Sequence, residues 1–441
     1  MPILLVLFGG VFLGALDIAI VGPALPAIQA ELGLDSRQVS AIFSVYILFS
    51  LAGAPLLASL SDRQGRRPVY LGCLLLFGIG SVIVASAASI EMLLVGRAVA
   101  AVGAGGMLPV AAAVVADSFP VERRGRALGL IGAVFGLAFV LGPLVGAIFL
   151  QWSWRWLFLV NLPLVALLIG TAAVVLDDGI RSARAAFDAR GALLLALGLA
   201  SLAYGAARIE YGAGSFLGIG GSALAAFAIA LATLYMFWRS EQRAVAPIVE
   251  PRLLASAQMR IVGALGLATG LVEASMVFLP TLAVGTLDVA PSRASFMLLP
   301  LVAALIAGSI LAGRVLERVG AKPVIQAGMG LTIVGLLLFS ALPLTPAGFY
   351  IAGITVGLGL ASLLGAPLRF VALQEGGDTD RGASQGLLTV CLGVGRLFGA
   401  SLTGGIAAGA AVAVVGYRRS MLVVAVAAGL ALVASFGLRR R

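Results

Sequence analysis

Four ionisable residues interrupt long apolar runs of this 441-residue chain, and each is a candidate for chemistry. Asp17 sits among Leu16, Ile18 and Ile20. Arg97 follows Gly96 in a run rich in alanine and glycine. Glu273 lies between Val272 and Ala274, and Arg396 between Gly395 and Leu397. A charge inside a membrane-spanning helix costs at least about 2.5–3.5 kcal/mol on insertion scales, so such residues are functional candidates by default. A carboxyl group withdrawn from water favours its neutral form. If its access to water alternates, it can load a proton on one side and release it on the other. The chain has no histidine, so proton coupling must use carboxylates.

Asp17 and Glu273 are therefore the proton-site candidates, and Arg97 needs a carboxylate partner of its own. Asp17, Arg97 and Arg396, with Gln385 as a weaker polar candidate, are the residues expected to line a substrate cavity. Each has a static alternative. Asp17 could hydrogen-bond a neighbouring helix, Glu273 could lie near an interface, Arg97 could be an anchor, and Arg396 could be held in a structural pair. Conventional enzyme chemistry has no footing here. There is no phosphate-cradling loop with a following lysine, and Cys73 and Cys391 sit singly in apolar runs without metal-ligand spacing. No cofactor is expected other than a proton gradient.

The elements that position these residues follow from composition. Hydrophobic residues make up 61% of the chain and charged residues 11%, and the mean hydropathy is +1.12. Soluble domains average about 45–50% apolar and about 25% charged, so this chain lacks the charge to cover a surface in water. A helix needs about 20 apolar residues to cross a hydrocarbon core of ~30 Å. Apolar runs of suitable length fall at 3–28, 39–60, 69–88, 92–115, 127–150, 155–176, 189–208, 215–237, 260–284, 292–312, 323–343, 347–371, 382–411 and 419–437, fourteen in all. The fold class expected is thus all-α and integral to the membrane. The N-terminus has no basic region or cleavage site and reads as the first span.

Basic residues orient the spans. With the N-terminus in the cytoplasm, inside loops hold 21 of them, including Arg63, Arg66, Arg67, Arg123, Arg124, Arg126, Arg369 and Arg381. Outside loops hold six: Arg37, Arg155, Arg208, Arg293, Arg418 and Arg419. This split accounts for the net charge of +10 without a nucleic-acid partner. It predicts that both chain ends are cytoplasmic. The partners expected are a lipid bilayer, protons and a small-molecule substrate, and the chain is expected to be a monomer. Trp152, Trp154, Trp156 and Trp238 read as interfacial anchors.

Two predicted inside loops share a pattern. Ala58 to Arg67 and Gly313 to Lys322 both read small-x-x-x-acid-Arg-x-Gly-x-base, with Asp62, Arg63, Gly65 and Arg67 matching Glu317, Arg318, Gly320 and Lys322. A turn glycine suits positive φ. Two copies at equivalent places imply a duplicated bundle, as in many secondary transporters. The domains expected are a six-helix bundle over 1–178, two inserted helices over 179–245, and a second six-helix bundle over 246–441.

At these residues the chain resembles the major facilitator superfamily, and within it the fourteen-span drug:proton antiporter group. The loop at 58–67 matches the signature between spans two and three, with Ala58 for the usual glycine. Leu16 to Pro26 resembles the span-one motif of the group, with Ala19 and Gly22 as departures. Arg97 to Pro109 resembles the arginine-bearing motif of span four, with Ala100 and Ala101 replacing Gln-Gly. Gly129, Gly142, Pro143 and Gly146 resemble the antiporter motif of span five, with Ala138 and Ala147 replacing glycines. Trp154 to Phe158, with Asn161 and Pro163, is similar to a stretch typical of this group.

The resemblance implies alternating access between two bundles, in a bacterial inner membrane, with export of drugs or other amphipathic molecules driven by protons. It implicates Arg97 in proton coupling. It implies gating at Asp62, Arg63, Gly65, Arg66 and Arg67, with Asp117 and Arg124 to Arg126 as partners of that latch, and at the second copy through Gly313, Glu317, Arg318 and Gly320. Gly142-Pro143 is expected to bend span five, since proline removes a backbone donor and clashes with the carbonyl four residues back. Alternatives of the same fold are a metabolite exporter, an uptake symporter or a lipid transporter. A more distant alternative is a membrane enzyme or scaffold.

Overall fold

The computed structural model describes residues 2–118, 134, 137, 138, 140–177, 188–210, 218–244, 247–341, 344–376 and 381–439. Among them are thirteen helical spans long and apolar enough to cross a membrane, with Val140–Phe149 as a shorter apolar helix. The expectation of about fourteen membrane helices is met. Four spans open the chain: α1 (Pro2–Leu32), α2 (Ser36–Gln64), α3 (Arg66–Ala85) and α4 (Ile90–Ser118). The shorter helix is α5, and α6 (Trp156–Leu159) with α7 (Asn161–Val175) makes the sixth span. A hairpin of α8 (Ala189–Ala207) and α9 (Gly221–Glu241) follows. Its tip carries an antiparallel pair, β1 (Ile209–Glu210) and β2 (Gly218–Ile219).

The remaining spans contain three breaks that periodicity did not predict. The ninth is α10 (Ala257–Met276) plus α11 (Leu279–Leu287), and the tenth is α12 (Pro291–Phe296) plus α13 (Leu299–Val319). The eleventh is α14 (Ala321–Ala341). The twelfth is α15 (Pro346–Leu364) plus α16 (Ala366–Gly376). The chain ends with α17 (Arg381–Ala408) and α18 (Ala413–Ser435). A proline stands second in each resumed helix: Pro280, Pro300 and Pro367. Proline suits the first helical turn, where its missing N–H is not needed, but it disfavours helix at the residue before it. Pro23, Pro26, Pro55 and Pro109, by contrast, lie inside continuous helices.

Two groups of helices emerge from the packing. In the first, α4 is packed by α1, α2 and α3, and α7 by α1 and α3. In the second, α10 packs on α17 and α18, while α14 and α13 pack on α15. Between them, α2 packs along α17, and α8 of the hairpin touches both. The α2–α17 seam is antiparallel. Ser44 Oγ lies 2.9 Å from Ser401 Oγ, Gly404 packs on Ser40, and Gly393 packs on Leu51.

The chain ends share a face. Tyr70 Oη, near the start of α3, donates to Val6 O at 3.0 Å. Gln258 Nε2, at the start of α10, donates to Gly437 O at 2.9 Å. Ser256 Oγ in turn reaches Glu375 at the end of α16, beside the start of α17. Because α2 ends at the face where α17 begins, the first and last described residues lie there. The contacts between the groups sit in the opposite half: the α2–α17 seam, Gly22 against the Val277 carbonyl, and Gly146 near Ser295.

Glycine sets the tightest of these approaches. In the α10–α17 seam a Cβ at Gly270 would run into the Leu392 carbonyl, and one at Gly395 into the Leu267 carbonyl. Overpacking of this kind costs typically about 1–3 kcal/mol. Gly395→Leu is therefore expected to lower the unfolding temperature of the detergent-solubilised protein. Gly330→Ala, at a position with no neighbouring atom within 4 Å of a Cβ, should leave it unchanged. Equal unfolding temperatures for wild type and Gly395→Leu would contradict this packing.

Candidate functional site

Asp17 on α1 and Arg97 on α4 meet in the interior of the first group, each with no exposed side-chain surface. Arg97 Nη1 donates to Asp17 Oδ2 at 2.6 Å, and its Nε donates to Ile42 O on α2 at 3.4 Å. The guanidinium carbon lies 4.1 Å from the Tyr46 ring centroid and 5.8 Å from that of Phe158, so two aromatic faces add cation–π attraction. Small residues make the meeting possible. Gly14 packs on Ala104, Gly53 on Val102, and Gly80 on Ala100, so α1, α2 and α3 approach α4 closely enough for one side chain to span the gap. Asp17 Oδ1 and Arg97 Nη2 have no hydrogen-bond partner among the described residues. Arg97 thus finds its carboxylate one helix away. Glu91, six residues before it, lies exposed in the first turn of α4.

The second pair joins α10 and α17. Arg396 Nε and Nη2 both reach Glu273 Oε2 at 2.9 Å. Here the side chains keep some exposure, 24% for Arg396 and 11% for Glu273. The two acids occupy corresponding spans of the duplicated pattern, the first and the ninth. Their partners do not correspond, since Arg97 is on the fourth span and Arg396 on the thirteenth.

Gln385, expected in the cavity, sits in the first turns of α17. Its Nε2 donates to Arg369 O at 2.9 Å and its Oε1 accepts from Arg369 Nη1 at 3.4 Å. Arg369 itself was assigned to a loop. The structure puts it in the first turn of α16, against Gln385. The signal for this was Gly365-Ala366-Pro367, a break read as continuous helix. Tyr46 was missed because one tyrosine in an apolar run carries no pattern. Arg418 and Arg419, assigned to an outer loop, lie within α18, and Arg418 Nη2 donates to Ser340 O at 2.9 Å. Trp154 is no interfacial anchor. It is 2% exposed and its Nε1 donates to Glu31 Oε2 at 2.7 Å.

The two repeat loops agree in backbone and differ in side chains. Gly65 takes φ 107° and Gly320 φ 81°, and each donates its N–H to the carbonyl four residues back. Arg66 then links Ser61, Asp62 and Asp117, reaching Asp117 Oδ2 at 2.8 Å. Among the described residues Arg314, Glu317 and Arg318 form no ion pair. They are exposed and line, with Gly313, Gly320 and Phe370, a cleft of 1210 Å³. Gly142 packs against Ala19. Residue 139, whose carbonyl Pro143 would displace, lies outside the described residues. So do Gly129, Arg123, Arg124 and Arg126, as does the side chain of Arg381.

This architecture has counterparts among known proteins. The family model of the Major Facilitator Superfamily matches residues 7–272. The chain belongs to the major facilitator superfamily. It is 32% identical over 90% of its length to an MFS-type transporter of Bacillus subtilis, YfiU, covering 77% of that protein. It is 29% identical over 82% of its length to the multidrug transporter protein MdtP of the same organism, covering 67% of it. It is 30% identical over 88% of its length to a triacylglyceride transporter of Mycolicibacterium hassiacum, covering 76% of it. A D-xylose–proton symporter structure shares the fold of this superfamily member, with a TM-score of 0.71 at 14% identity over 100% of this chain and 98% of that one.

A buried pair is weak evidence for stability, but removing one partner leaves an uncompensated charge at a cost of about 3–5 kcal/mol. In a double-mutant cycle on the solubilised protein, Asp17→Asn and Arg97→Gln should each destabilise. The combined variant should be more stable than the sum of the two losses. Additive losses would mean that the pair is not coupled.

Proposed function

We propose that this transporter of the major facilitator superfamily exports small amphipathic molecules in exchange for protons. One observation carries the reading: each helix group places a carboxylate in a corresponding span and holds it with an arginine from a neighbouring helix. Protonating Asp17 or Glu273 removes the charge its arginine is paired with. The freed guanidinium must then find another partner or more water, which gives the two orientations of the groups different energies. A ligand can shift such an equilibrium only by its differential affinity for the two states. Competition between proton and substrate for the same groups supplies that difference. An inward proton gains about 2.3 kcal/mol per 100 mV of membrane potential.

The contacts between groups in the half away from the chain ends fit a state closed on that side. In this reading the termini are cytoplasmic, the membrane is a bacterial inner membrane, the chain acts as a monomer, and no cofactor is needed beyond the gradient. The Asp62–Arg66–Asp117 link acts as a latch between the ends of α2, α3 and α4 on the cytoplasmic side. The relatives named for multidrug and triacylglyceride transport favour amphipathic cargo, and the latter keeps a lipid mover as the second reading.

The test is a substrate panel in proteoliposomes with an imposed pH gradient. Wild type should move at least one amphipathic compound against its gradient, with proton flux in the opposite direction. Asp17→Asn and Glu273→Gln should each abolish the dependence on the gradient, and Asp62→Asn should slow transport with normal insertion. Gradient-driven transport at wild-type rate in Asp17→Asn would overturn the reading, and proton flux in the same direction as substrate would make the protein a symporter.

A further inference from the structure

The second and tenth spans end in the same kind of turn and use its arginines differently. At the first copy Arg66 is satisfied within the protein, by Ser61, Asp62 and Asp117. At the second, Arg314 and Arg318 lie one turn apart on an exposed face of α13, and among the described residues neither has an ion-pair partner. Glu317 stands on the same face and is unpaired as well. All three line the 1210 Å³ cleft, whose other walls include Phe370 in the early turns of α16. One carboxylate against two guanidiniums leaves that cleft with a net positive charge.

The place of the cleft decides what can reach it. Lys322, just past the turn glycine, donates to Phe436 O at 2.6 Å and to Leu438 O at 2.8 Å. The cleft therefore opens on the face where the last described residues lie. Towards the start of α13 the same face turns apolar: Ile306, Ile310 and Leu311 are all exposed. Residues three, four and seven apart share a helix face, so Ile310 stands in line with Arg314 and Glu317. Ile310 and the exposed Phe370 line the cleft themselves. An exposed apolar surface that gives way to arginines within one turn matches an amphiphile, with hydrocarbon on one side and charge at its edge. A guanidinium presents a planar fork of donors that fits a phosphate. Basic pockets between membrane helices on the cytoplasmic side attract anionic headgroups.

We infer that the cleft between α13 and α16 binds the headgroup of an anionic phospholipid from the surrounding leaflet. Arg314 and Arg318 take the phosphate, and Ile310 and Phe370 lie against the start of the acyl chains. The lipid supplies from outside the chain the anion that Asp117 supplies within it at the first copy. Glu317 opposes this binding and sets its strength. The site is independent of what the protein transports and of whether protons drive it.

Native mass spectrometry of the full chain in a neutral detergent counts bound lipid and tests this. The probes are phosphatidylglycerol, phosphatidylethanolamine and phosphatidylcholine with identical acyl chains, and glycerol 1-phosphate as a headgroup without chains. Phosphatidylglycerol should bind tightest. Arg314→Gln and Arg318→Gln should each weaken it about fivefold, and together about thirtyfold, as expected for about 1 kcal/mol per arginine at a membrane surface. Glu317→Gln should strengthen it, a change of sign that a misfolded variant would not give. Arg243→Gln removes an exposed arginine just past α9, outside the cleft, and should leave the affinity unchanged. Cooperative thermal unfolding checks that each variant is folded. Equal losses in Arg243→Gln and Arg314→Gln would mean that lipid follows overall charge, and would overturn the site. Phosphatidylethanolamine or phosphatidylcholine binding as tightly as phosphatidylglycerol would overturn it too. Glycerol 1-phosphate matching the intact lipid would make the cleft a site for soluble anions and refute the lipid.

Discussion

A charge has nowhere to go inside an apolar slab except to another charge. That constraint organises this protein. The cost of an isolated ion in the membrane means that Asp17, Arg97, Glu273 and Arg396 must meet partners from other helices. Those helices must then come close enough for the meeting. The small residues provide the approach: Gly14 and Gly80 around α4, and Gly270, Gly395 and Gly399 along the α10–α17 seam. Glycine, which weakens a helix in water, here lets backbones touch and brings side-chain charges into register.

The two pairs solve the same problem differently. Asp17–Arg97 is closed off by Tyr46 and Phe158 and has no exposed surface. Glu273–Arg396 keeps partial exposure. In a duplicated architecture this divergence matters more than the symmetry. The acids lie in the first and ninth spans, while their arginines lie in the fourth and thirteenth. One pair is insulated from solvent and the other keeps contact with it. The repeat loops diverge likewise. Both keep the left-handed turn glycine, Gly65 and Gly320, yet among the described residues only the first builds its side chains into a link, through Arg66 to Asp117.

Much of this was legible in the sequence. Apolar runs located the membrane helices because hydrocarbon demands length and leaves little freedom in composition. The repeated loop pattern located two turn glycines, Gly65 and Gly320. The four intramembrane charges were visible as interruptions, but which arginine met which acid was not, since pairing depends on helix packing that a linear string does not encode. The breaks at Pro280, Pro300 and Pro367 were hidden by hydropathy, which is blind to backbone geometry. Missing the last of them sent Arg369 to a loop. Trp154 was misread for a related reason: an aromatic residue at a helix end looks like an anchor until Glu31 is seen to accept its N–H.

The account stands on protonation changes at the two membrane carboxylates. Infrared difference spectra of the protein in membranes, recorded between acidic and alkaline conditions, read these groups directly. The account predicts protonated-carboxyl bands that titrate in wild type, with one component missing in Asp17→Asn and another in Glu273→Gln. Spectra identical in wild type and both variants would contradict it, because the acids would then keep one protonation state throughout.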